Sequence, residues 1–169
     1  MRRRALAAFA LLAAFCAVSA NAQRPASAYT MLDRHQCRTL ATIPEGESVR
    51  LRCPGFSGIP LYLNEGDGRA ELDAGRDDHV WESLPAFNSV GDRVEWRLAG
   101  GRPFAIIYRL RAAATENGPA GSALIVEAIG RRGAPGCRLG LVDGALPDAN
   151  ARARAIADLH LTTMRCPAR

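Results

Sequence analysis

Lysine is absent: none of the 169 residues is one, so every basic side chain among the 22 is an arginine. Chemistry that needs a lysine amine is thereby excluded, including Schiff bases, phosphate capture by a P-loop and Ser-Lys dyads. Long apolar runs are nearly absent too. The one from Ala5 to Val18 is about 14 residues, too short for a ~30 Å hydrocarbon core, and no second run follows. Histidine is sparse, with His35, His79 and His160 at unrelated distances and no C-x-x-C pair beside them, so neither a zinc site nor any other metal is expected. The only serine in a glycine-rich turn, Ser57 in Gly55-Phe56-Ser57-Gly58-Ile59, has its second glycine one place too early for a nucleophile elbow.

What is present at the start of the chain is a tripartite export signal. Arg2, Arg3 and Arg4 precede the apolar run, and the small-x-small triplet Ala20-Asn21-Ala22 closes it, so residues 1–22 read as a signal peptide cleaved before Gln23. Cys16 follows Phe15 rather than a small residue, which argues against lipidation. The mature chain is then soluble and periplasmic or secreted, with no integral membrane segment after cleavage. Without the three leader arginines, 19 arginines face 17 acidic residues, a balance of +2 that excludes a strong polyanion binder and argues against nucleic acid.

Four cysteines remain, Cys37, Cys53, Cys137 and Cys166, an even number in an oxidising compartment, and they imply two disulfides. Three pairings exist and sequence alone does not choose. Loop closure favours Cys37 with Cys53 and Cys137 with Cys166, each contributing about 3 kcal/mol.

Gln23 to Ser27 reads as a frayed polar lead, and Tyr29 to Leu40 fits strand or short helix equally. Ser48 to Cys53 alternates as a half-buried strand ending at Pro54-Gly55. Ile59 to Asn64 and Arg69 to Asp73 flank a four-residue hairpin loop, Glu65-Gly66-Asp67-Gly68. Strands follow at Arg93 to Leu98, Phe104 to Leu110, Ser122 to Ile129 and Cys137 to Asp143, the first two joined at Gly100-Gly101, and four consecutive strands read as an antiparallel meander. Asp148 or Asn150 then caps a helix reaching about His160, with Ala149, Ala153, Ile156 and Ala157 as its apolar stripe against one sheet face. The fold expected is mainly β (α+β): an antiparallel meander or sandwich-like sheet packed by one C-terminal helix, a single domain over residues 23–169.

The densest acidic stretch holds Glu65, Asp67, Glu71, Asp73, Asp77, Asp78 and Glu82 against Arg69 and Arg76, without EF-hand spacing, and reads as the solvated face of the hairpin. Trp96 falls at an inward strand position, whereas Trp81 lies among polar residues where an indole can stack on a ligand. Arg93, Arg97, Arg109, Arg111, Arg131 and Arg132 fall on outer strand positions and form a basic sheet surface, with Glu95 and Glu127 interleaved as cross-strand partners.

Several short stretches resemble a group of small exported proteobacterial proteins without an assigned activity: Tyr29-Thr30-Met31-Leu32-Asp33 before Cys37, Cys53-Pro54-Gly55-Phe56 with Gly58-Ile59-Pro60-Leu61-Tyr62, Glu65-Gly66-Asp67, Glu95-Trp96-Arg97-Leu98, and Asn150. The resemblance spans most of the mature chain and implies a secreted domain, with no active site to carry over. Ser57-Gly58 followed by Tyr62 also resembles the Ser-Gly-x-x-Tyr loop of periplasmic inhibitors of c-type lysozyme. Here the tyrosine comes one residue late and the companion lysine motif cannot exist, so that likeness does not support inhibition.

The function expected is a non-enzymatic binding or cell-envelope-associated module without a cofactor, whose partner is an unknown protein or envelope component. Its recognition surface is the turn-rich region around Phe56, Tyr62, Asp67, His79 and Trp81, because loops on a rigid stapled sheet are where recognition sits. The alternatives are an inhibitor of an exported enzyme such as a lysozyme, and a small periplasmic hydrolase using the acidic hairpin and His79.

Overall fold

Alternating side chains in the second half of the chain do build a meander. The computed structural model describes residues 24–43, 48–77, 80–116, 118–163 and Cys166; the segment read as a signal peptide lies outside them. Strands are β1 (Ala26–Met31), β2 (Arg38–Ile43), β3 (Ser48–Cys53), β4 (Leu61–Gly66), β5 (Arg69–Ala74), β6 (Asn88–Ala99), β7 (Arg102–Ala112), β8 (Gly121–Ala128) and β9 (Cys137–Asp143), followed by helix α1 (Ala149–Thr163). They form two antiparallel sheets, of order β1-β6-β7-β8-β9 and β2-β3-β4-β5.

The lead segment is a correction to the reading above. From Ala26 it is strand rather than frayed chain, with Ser27 opposite Arg97 and Tyr29 opposite Glu95, because β1 supplies the hydrogen-bonding partner that β6 lacks on its outer side. The ambiguous stretch after it is neither one strand nor one helix. It contains the end of β1, a single 3-10 turn at Arg34–Gln36 whose N-terminus Asp33 caps (His35 N–H donates to its Oδ1, 3.0 Å), and the start of β2. The expected four-residue hairpin loop is also shorter. Glu65 and Gly66 stay in β4, and only Asp67 (φ 51°) and Gly68 (φ 64°) turn, matching the left-handed pair at Gly100-Gly101. Both are tight hairpin turns whose twist suits the strands they join.

Two apolar layers hold the sheets and the helix together. Leu61, Leu63 and Leu72 of the smaller sheet face Val94, Trp96, Ile106, Tyr108, Leu110 and Ile125 of the larger one. On the opposite face of the larger sheet, Ala105, Ile107, Leu124, Val126 and Val142 pack against Ala149, Ala153 and Ala157 of α1. The alanine stripe brings the helix close: a Cβ on Gly140 of β9 would stand 3.2 Å from the Ile156 side chain. Covered on both faces, the five-stranded sheet has a middle strand, β7, that is buried without interruption from Phe104 to Tyr108.

Charged residues inside these layers are paired. Arg97 is 5% exposed; grouped above with the outward arginines, it lies instead beneath α1, donating to both carboxylate oxygens of Asp158 (2.8 Å each) and to Ser27 Oγ (2.6 Å). The neighbouring Glu95 accepts from Arg154 Nε (2.6 Å) and from Ser27. These two ion pairs fasten the helix to β6. Between the two sheets, Glu127 accepts from Arg138 directly across the strand pair (3.3 Å), Arg138 donates to the Glu82 carbonyl, and Tyr108 Oη accepts from Leu72 N–H (3.2 Å) while burial pushes its phenol far above the ordinary value. The cysteines pair as Cys37–Cys53 and Cys137–Cys166, closing the two short loops that loop entropy favours. Two disulfides are compatible with an exported protein, and no helix among the described residues is long and apolar enough to cross a membrane.

Burial works to raise the Glu95 carboxyl, but the hydrogen bonds from Arg154 and Ser27 and the charges of Arg154 and Arg97 outweigh it and hold the group below its ordinary value of 4.5. Its contribution to stability is therefore complete above about pH 4.5 and disappears as pH falls through the depressed folded value. Urea unfolding between pH 3 and pH 7 should show a steep acid loss in the native protein and a flatter one in Glu95→Gln, the two curves converging at the acid end.

Candidate functional site

The site with the most convergent polar chemistry lies on the outer face of the four-stranded sheet. Strand parity creates it. Leu51, Leu63 and Leu72 form one cross-strand row on the core side, so the adjoining row, Arg50, Asn64 and Glu71, takes the other face. The connection from β5 to β6 folds back over that row and brings Asp77 and Trp81 with it. Between them is a cavity of about 280 Å³, at the small end for ligand sites, lined by Arg50, Asn64, Glu65, Glu71, Asp77 and Trp81.

Its carboxylates are engaged. Glu65 accepts from Arg34 (2.7 Å) and Asp77 from Arg50. Glu71, only 5% exposed, accepts from Asn64 Nδ2 (3.2 Å) with one oxygen and from the backbone N–H of Glu82 with the other. That last bond ties the returning connection to the sheet. Glu71 corrects the reading of the acidic stretch as uniformly solvated: the connection covers it, and burial is tolerated because both oxygens are bonded. What is left over is an acceptor. Asn64 is 7% exposed, and its Oδ1 is the single buried side-chain polar atom among the described residues that has no hydrogen-bond partner. An unmet buried acceptor costs about 1–3 kcal/mol.

No family model matches this chain, and neither any curated protein nor any solved structure is significantly similar to it. The chemistry of the site rests on its own geometry. Beside Asn64 stands Trp81, 43% exposed, with the Arg69 guanidinium 5.9 Å from its ring centre; Arg69 is held in turn by Asp67 at the hairpin tip (2.7 Å). Among the described residues no cluster of three His, Cys, Asp or Glu side chains is placed to hold a metal ion.

Of the five residues expected to form the recognition surface, the structure gathers two at this pocket: Trp81 in its wall and Asp67 behind it through Arg69. Tyr62 shares the face with Asn64 but sits one row away, between Arg52 and Asp73, half-buried and outside the cavity. Phe56 belongs to the margin of the core, its ring 6.0 Å from that of Trp96. His79 lies outside the described residues. Sequence reasoning missed Asn64 and Arg50. Alternation along β3 and β4 already puts them on the face of Arg52 and Tyr62, but nothing local announces the connection that roofs them.

Glu71→Ala should cost roughly 1–3 kcal/mol by leaving Asn64 Nδ2 and the Glu82 amide without their acceptor. Trp81→Ala, at an exposed position, should stay within about 0.5 kcal/mol of the native protein in the same urea titration.

Proposed function

We propose that the chain is an exported binding module, working in the periplasm or medium, that holds a neutral sugar unit of an envelope glycan against Trp81. The observation that carries this reading is the unpartnered Oδ1 of Asn64, a residue that lines a small cavity beside an exposed indole. A pyranose ring offers the matching pair of surfaces: an apolar C–H face that covers an indole, and equatorial hydroxyls that donate to an amide oxygen and accept from a guanidinium such as Arg50. The local charges favour a neutral guest, since the carboxylates of the cavity already accept hydrogen bonds from Arg34, Arg50, Asn64 and Glu82. The same engagement weighs against the hydrolase alternative, which needs a carboxylate free to exchange a proton. Export is supported by the tripartite leader and is compatible with the two disulfides.

Titrating the mature protein with soluble N-acetylglucosamine oligomers while following its two indole N–H resonances tests this. One resonance, absent in Trp81→Ala, should shift saturably; the other, from Trp96 bonded to Thr30 Oγ1 (2.8 Å), should not. Asn64→Leu should abolish the shift while melting cooperatively. No saturable shift at millimolar oligomer overturns the reading, and stoichiometric slowing of a muramidase in its place would establish the enzyme-inhibitor alternative.

A further inference from the structure

A second cavity, of about 300 Å³, opens on the other side of the molecule, where α1 stops short of covering the five-stranded sheet. Its floor is Ile107 and Leu124, and its walls come from β1, β6, β7 and the first turns of α1. Four arginines line it, Arg93, Arg109, Arg111 and Arg154, against two carboxylates, Asp92 and Glu95, leaving an excess of two positive charges. Only Arg154 is matched to an acid, Glu95. Among the described residues no carboxylate is within ion-pair distance of Arg93, Arg109 or Arg111.

Two of those three guanidiniums are nevertheless held in place, and neutral groups hold them. Arg109 donates to Ser122 Oγ (2.6 Å) and to the Gly144 carbonyl (3.4 Å). Arg93 lies over the Tyr29 ring, 4.0 Å from its centre, and Tyr29 Oη is itself fixed by a hydrogen bond from Arg154 (3.1 Å). Arg111 borders Gly91, where an added Cβ would come within 3.3 Å of its Nη1. Side chains oriented by hydroxyl, carbonyl and ring keep their full charge available to a guest, whereas a carboxylate would have neutralised it.

We propose that this cleft binds a phosphoryl group. A dianion matches the excess charge, and a tetrahedral oxyanion can accept from several guanidinium forks at once, which a single carboxylate cannot. Asp92, an exposed lining residue, sets a bias against more extended polyanions. The site is independent of the Trp81 pocket, and each can fail without the other.

The test is titration of the mature protein with inorganic phosphate at low ionic strength, followed by calorimetry and by amide shifts, with chloride and sulfate as controls. One saturable site should appear, with shifts centred on residues 91–93 and 109–111. Arg93→Gln and Arg111→Gln, both at exposed positions, should each weaken it roughly tenfold, the effect of losing a charge-assisted contact, while Trp81→Ala leaves it unchanged. Absence of saturation, or an affinity that survives in the double variant with its melting intact, overturns the proposal. Phosphatidylglycerol vesicles, with phosphatidylcholine as the neutral control, identify the source. Retention competed by free phosphate assigns a lipid phosphate to this cleft. Retention that phosphate does not compete, without a phosphate site in solution, contradicts it.

Discussion

The five-stranded sheet is covered on both faces, and most of the molecule follows from that constraint. Where it is covered, the sheet has no solvated surface on which to place charge, so each ionic group its strands carry beneath a layer meets a partner from that layer or from a neighbouring strand. Arg97 meets Asp158 and Glu95 meets Arg154, both from α1, while Glu127 meets Arg138 within the sheet. Such pairs add little net stability compared with apolar packing, yet removing one partner is costly, so they fix where the helix sits. A helix contacting the sheet through Ala149, Ala153 and Ala157 has little shape of its own to select a register; the two arginine-carboxylate pairs supply it.

Both candidate sites lie where a covering layer ends. On one side the 15-residue helix is shorter than the face it protects, and the uncovered remainder is the arginine-lined cleft over Ile107 and Leu124. On the other side, the four-stranded sheet has no third layer. The connection after β5 substitutes for one, burying Asn64 and Glu71 without meeting Asn64 Oδ1. A polar atom left unmet in this way marks a place where packing has been sacrificed, and binding sites are where such costs are tolerated.

Period-two alternation made β3 and the strands of the meander legible, and Trp96 could be assigned to the core from its parity alone. The alanine spacing of α1 and the even cysteine count were equally readable, because each reflects a local or statistical constraint. Less visible was anything set by the third dimension. Arg97 and Arg109 occupy the same sheet face by parity, yet one is buried beneath the helix and the other lines a cleft, since coverage depends on where α1 begins. Glu71 has the look of a surface acid until the β5 to β6 connection is laid over it. Phe56 sits in a glycine-rich turn, the usual signature of an exposed loop, but that turn folds inward onto Trp96.

Native-state hydrogen exchange addresses the layered arrangement most directly, because it reads coverage strand by strand. If the sheet is enclosed as described, amides of β7 and β8 exchange only through global unfolding, those of the edge strands β1 and β9 open more readily, and Asp158→Ala releases α1 and β6 together. Amides of β7 exchanging as fast as those of β1, or a helix that keeps its protection when Asp158 is removed, would contradict the account.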